Sequence, residues 1–163
     1  MANANPVLKG YPSPAPSCSS KRHFIAGIQT TVYGLDELAR RPQSRKAACI
    51  WLLHGRLGRQ ENMQPMAHSV IHAWSRYLDT HDGKDVVGLI AITFDQRNHD
   101  SRTVDVSANA DWKGGNPGHG VDMFSIYRTS QVSIGHAVAL ITRRGNSVRS
   151  IPANGLCRSF YLS

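Results

Sequence analysis

Seven apolar residues, Ala47-Ala48-Cys49-Ile50-Trp51-Leu52-Leu53, run unbroken and stop at His54-Gly55. This stretch constrains the fold more than any other. A strand without a polar face needs cover on both sides, as in a parallel sheet. Beyond it, Met63, Met66, Ala67, Val70, Ile71, Trp74 and Leu78 recur at offsets of three and four. That spacing predicts a helix over about 61–80 with one apolar face. Asn62 is placed to cap its start, Pro65 falls in its first turn, and Gly83 stands in the usual stop position. Val86 to Phe94 is a second continuous apolar run. Strand, helix and strand in this order make a right-handed crossover between parallel strands, so the fold class is α/β.

The flanks read differently. Residues 1–20 carry Tyr-Pro-Ser-Pro-Ala-Pro and little that is apolar, which predicts a disordered Pro/Ser-rich leader. Between His23 and Leu35, alternating residues and the β-branched Thr30, Thr31 and Val32 predict two short strands folded as a hairpin near Gly27. Asp36 to Lys46 reads as a polar link. A long polar loop covers about 100–120, and Asp122 to Tyr127 could open another helix. Acids vanish after Asp122, and periodicity is lost from Arg143 onward. The expected division is therefore a leader over 1–20, a domain over 21–128, and a divergent, poorly structured tail over 129–163.

Two clusters at the strand ends carry a resemblance. His54-Gly55-Arg56-Leu57-Gly58 looks like the HGxxG oxyanion turn of the α/β-hydrolase family. Phe94-Asp95-Gln96-Arg97-Asn98-His99-Asp100-Ser101-Arg102 looks like that family's D-x-R-x-H-x-S segment. The match covers residues 22–127. It implies a partial α/β-hydrolase-like sheet, with an antiparallel hairpin beside parallel strands. It also implies a parent activity: serine-dependent hydrolysis of carboxylic esters or related acyl bonds. By the resemblance, the backbone of Gly55, Arg56 and Leu57 forms the oxyanion turn, where amide donors are each worth roughly 3 kcal/mol to a transition state. His54, Asp95, Arg97 and His99 form a structural network at the strand ends, and Asp95 and Arg97, two apart on an extended segment, are expected to pair. Asp100 stands where such segments commonly carry glycine.

The remaining machinery is degraded. Ser133, in Gln131-Val132-Ser133-Ile134-Gly135, is the candidate nucleophile, yet Gln131 replaces the first glycine of G-x-S-x-G. After Ser133 there is no carboxylate, and His136 is the sole histidine. A base three residues away cannot sit across the sheet from its nucleophile. The expectation is a chain truncated before or at its elbow, with activity impaired or absent. Its apolar central strand would then be an exposed edge open to self-association. The alternative is a non-catalytic interaction module using that edge or a basic surface.

Composition narrows the partners. The formal charge is +8, but the basic residues are scattered, and Arg128, Arg143, Arg144, Arg149 and Arg158 stand unbalanced near the end. No patch with interleaved aromatics points to nucleic acid. Cys18, Cys49 and Cys157 suit neither a disulfide framework nor a zinc site, and Cys49 reads as a small buried hydrophobe. His68 and His72 have zinc-helix spacing without the intervening Glu, and read as surface residues. No dinucleotide or phosphate-loop motif is present, so no cofactor or metal is expected. No apolar run approaches the ~20 residues of a membrane span. The expected setting is cytoplasmic, with a small ester-like molecule as the substrate if the chain is active.

Overall fold

The computed structural model describes residues 16–41, 46–81, 87–144 and 159–161. The first strands, β1 (Ser20–Ile25) and β2 (Ile28–Tyr33), form an antiparallel hairpin closing at Ile25 opposite Ile28. Ala26 and Gly27 join them with φ of 52° and 75°. A two-residue type I′ turn demands left-handed backbone at both positions, which glycine takes freely and alanine does not.

The two apolar runs become β3 (Lys46–Leu52) and β4 (Val87–Phe94). They pair in parallel, with Lys46 opposite Val87 and Leu52 opposite Thr93. Strand β2 lies antiparallel along the other side of β4. A three-residue strand, β5 (Ser159–Tyr161), runs antiparallel to Lys46–Ala48. The order β1-β2-β4-β3-β5 makes a mixed sheet with helices, an α/β arrangement.

Helix α2 (Gln64–Thr80) follows a 3-10 turn over Gln60–Met63. The Asn62 side chain accepts the Arg59 N–H at 2.8 Å, bracing that turn. Gly83, the expected stop, lies outside the described residues. Where a polar link was expected, a five-residue helix forms, α1 (Leu35–Ala39). Gly34 before it has φ 88°, and a Cβ there would lie 2.8 Å from Ile71 Cδ1 and 3.2 Å from the Leu89 carbonyl. This close approach lets the chain leave β2 under α2.

The core lies on both sheet faces, as the apolar strands require. Tyr33, Leu52 and Ala91 pack with Met63, Ala67 and Ile71 on one side. Val32, Cys49 and Ile92 pack with Ile134 on the other. Neighbours such as Ala91 and Ile92 serve opposite faces because successive strand side chains alternate. Burying Ile71 alone is worth roughly 2 kcal/mol.

Three expectations change. Residues 119–144 form one helix, α3 (His119–Arg144), so the boundary placed at 128 falls inside a continuous element. Within the leader, residues 1–15 lie outside the described residues, whereas Ser19 is anchored: its N–H and hydroxyl both donate to the Glu37 carboxylate. Finally, β5 pairs Lys46–Ala48, so the start of β3 is covered rather than open; at the other side of the sheet the outer strand is β1, with Phe24 exposed.

Candidate functional site at the carboxyl ends of the parallel strands

Strands β3 and β4 end side by side, and the polar residues that follow them are buried. Exposure is 2% at His54, 0% at Asp95, 3% at His99 and 2% at Gln60. Buried polar groups need partners. The Asp95 carboxylate accepts the Gln60 backbone N–H at 2.8 Å, the Gln60 side-chain amide at 3.3 Å and the Ser101 hydroxyl at 2.5 Å. Gln60 accepts the Thr31 hydroxyl at 3.1 Å. One aspartate thus ties the start of the 3-10 turn, the loop after β4 and, through Gln60, strand β2.

His54 joins the two strand ends. The Gln96 backbone N–H donates to its Nε2 at 3.1 Å, so that nitrogen carries no proton. Its Nδ1–H donates to the Gly55 carbonyl at 2.9 Å. The Gln96 side-chain amide donates to the His54 carbonyl. Burial pushes the imidazole below its ordinary pKa, against the opposing pull of the Gly55 carbonyl. Nε2 lies 3.9 Å from an Asp95 oxygen, but a neutral ring with a bare nitrogen there forms no ion pair. His54 is a neutral strut.

Next to this strut sits the turn. Gly58 N–H donates to the Gly55 carbonyl at 3.0 Å, and Leu57 has φ 61°. A Cβ on Gly58 would meet that carbonyl at 2.9 Å and His54 Cβ at 3.2 Å. Glycine is required there. Arg56 is braced from outside, its guanidinium 3.2 Å from the Asn109 carbonyl and 3.7 Å from the Asp111 carboxylate. No acceptor is described for the Arg56 and Leu57 amides among the described residues, and both residues are exposed. The turn offers two open N–H donors.

Arg97 behaves differently from expectation. It is exposed and donates to the Ser125 hydroxyl at 2.6 Å. Arg102 takes the place beside Asp95, donating to its backbone carbonyl at 2.9 Å. The strand ends at Phe94 and the chain turns at Asn98, φ 59°, so the alternation argument stops applying before residue 97. His99 donates from Nδ1 to the Arg97 carbonyl, 2.9 Å away, while its buried Nε2 has no partner among the described residues. Its ring lies 5.1 Å from that of His54.

Other contributors escaped the sequence reading. Asn98 accepts the N–H groups of Val104 and Asp105, both at 2.8 Å, and donates to Asn109 at 3.2 Å. It organises the polar loop. Ser130 on α3 donates to Gln96 at 3.4 Å. A polar residue just after an apolar strand, or an Asn in a turn, was the available signal. Asp100 takes φ 39°, in the region that favours glycine, as its position in the motif suggested.

Ser133 is 7% exposed and lies well inside α3. A nucleophile elbow needs a strand leading into the serine and a strained turn at it. Here helix precedes and follows it. Among the described residues, the non-glycine positions with left-handed φ are Ala26, Leu57, Asn98 and Asp100, not Ser133. A cleft of about 240 Å³ opens beside the network, lined by residues including Arg97, Asn98, Asp122 and Ser125. Neither Ser133 nor the Gly55–Leu57 turn lines this cleft. Glu61, Asp95 and Asp100 bring carboxylate oxygens within 4.8 Å of one another, but both Asp95 oxygens are already engaged. No helix among the described residues is long and apolar enough to cross a membrane. No family model, curated protein or solved structure matches the chain.

Proposed function

We propose that the chain is an α/β-hydrolase-like protein that keeps the scaffold of an oxyanion turn without a working nucleophile. The parent activity is serine-dependent hydrolysis of carboxylic esters or related acyl bonds. The observation that carries the scaffold reading is the pair of open amides at Arg56 and Leu57, held on the end of a buried parallel strand by Gly58 and by the neutral His54 strut. Helical backbone around Ser133 supports the lack of catalysis. A serine inside a regular helix is not presented by the strained turn that a nucleophile elbow requires.

The test is labelling of the folded chain with a fluorophosphonate probe beside Ser133→Ala. The expected result is no serine adduct in either protein. Labelling of the native chain that disappears in Ser133→Ala would overturn the reading and make this a compact serine hydrolase.

A further inference from the structure

The long polar loop between β4 and α3 is held in shape by two asparagines. The Asn98 side chain accepts the N–H groups of Val104 and Asp105 and donates to the Asp105 carbonyl and to Asn109. Asn109 returns a hydrogen bond to the Asn98 carbonyl. Farther along, the Asn116 side chain accepts the Gly118 N–H at 2.8 Å. It donates to the carbonyls of Ala108 and Ala110, and to the Asp122 carboxylate at 2.9 Å. A loop of this length in a compact domain is either unstructured or functional. Fixed at both ends by side-chain amides, this one is structured.

The loop, Arg97 and the first turns of α3 wall a cleft of about 240 Å³, and three of its lining side chains are charged: Arg97, Asp105 and Asp122. Arg97 is oriented by Ser125, whose hydroxyl accepts from Nη1 at 2.6 Å. A guanidinium carries five N–H donors, so most of them remain for a second acceptor. Among the described residues none of the three forms an ion pair. The Asp105 carboxylate instead accepts the Ser107 hydroxyl and N–H, which hold its pKa below the usual carboxylate range. Val104, Ala108 and Ile126 add an apolar lining. Charges of both signs fixed around one cleft, and not spent on each other, complement a ligand that carries both. The volume is below the about 300–1,000 Å³ of pockets for drug-sized molecules, so that ligand is small.

We propose that this cleft binds a small amino acid as its zwitterion, at a site separate from Ser133 and the oxyanion turn. The ligand carboxylate lies on the Arg97 guanidinium, whose planar fork favours a bidentate pair. The ammonium, with three donors, turns to Asp105 and Asp122. The aliphatic part rests on Val104, Ala108 and Ile126. Two carboxylates against one guanidinium leave the lining with one excess negative charge. The ammonium is therefore the better-held half, and an acid without an amine is the poorest ligand.

The experiment titrates the ¹⁵N-labelled full chain with L-valine and, separately, with 4-aminobutyrate, whose two charges stand farther apart. Saturable amide shifts are expected over 104–108 and 122–126, with a midpoint of about 1 mM or lower for at least one of the two. The matching amines without a carboxylate, isobutylamine and propylamine, are expected to bind about tenfold more weakly. The matching acids without an amine, isovalerate and butyrate, are expected to bind more weakly still. Arg97→Gln keeps a donor for Ser125; it is expected to weaken the amino acid about tenfold and to leave the amine unchanged. Asp122→Asn keeps an acceptor for Asn116 and is expected to weaken both. The proposal is overturned by the absence of saturable shifts with either amino acid up to about ten times that midpoint, or by shifts that lie away from the cleft. An amine that binds as tightly as its amino acid, or an Arg97→Gln chain that binds the amino acid unchanged, would overturn it equally. The native-chain titrations decide the matter even if a variant does not fold.

Discussion

Replacing Asp95 by alanine removes the acceptor on which the strand-end network converges. Asp95 is fully buried and binds three donors. Ser101 is exposed, so its hydroxyl regains water and its loss is nearly neutral. The Gln60 backbone N–H and side-chain amide stay buried with the residue at 2% exposure. Stranding a buried donor costs ~1–3 kcal/mol. Two such donors, with partial relaxation of the amide side chain, give a destabilisation of about 3 kcal/mol. For a domain of this size that lowers the melting temperature by roughly 9 °C. Thermal unfolding followed by far-ultraviolet circular dichroism measures it. A drop below about 3 °C, corresponding to ~1 kcal/mol, would refute the idea that Asp95 holds this end of the sheet together.

Gly58→Ala places a methyl 2.9 Å from the Gly55 carbonyl and is expected to cost about 2 kcal/mol, read as a lower urea midpoint, whereas Gly55→Ala, with nothing within 4 Å of its Cβ and a φ outside the left-handed region, leaves the midpoint nearly unchanged. His54 and His68 are both depressed in the folded protein, chiefly by burial. Their unfolded forms therefore bind protons first on acidification. Stability is fully present above about 6.5 and falls as pH drops below it toward the folded values. Urea midpoints at pH 7.5 and 5 are expected to show this loss, and His54→Asn to reduce it; an acid dependence unchanged by that substitution would contradict the neutral-strut role.

What was readable in the sequence follows from how strongly each segment declares its surroundings. Ala47–Leu53 and Val86–Phe94 are apolar on both faces, which only a covered parallel strand satisfies, and α2 shows its apolar stripe at every turn. Helix α3 was read as two separate helical stretches, 122–127 and 135–142, and its continuity between them was missed because its buried side there includes Ser130 and Ser133 among Ile126 and Ile134. Polar residues on a buried face erase the periodic signal. The Arg97 pairing failed because alternation belongs to strands and β4 ends at Phe94. Arg102 and Gln60 reach Asp95 only after the chain turns back, and no spacing rule anticipates that. Cys18 Sγ reaches His68 Nδ1 across 50 residues of chain, so neither residue announces the other. Composition did report that Cys49 is a buried hydrophobe.

The central claim is that Ser133 is a helix residue packed on the sheet and not the apex of a nucleophile elbow. Backbone carbon chemical shifts of residues 126–138 in the labelled protein test it most directly. The account predicts helical shifts without a break through Ser133. Extended shifts over 127–132 with a non-helical value at Ser133 would describe a strand leading into an elbow, and would contradict it.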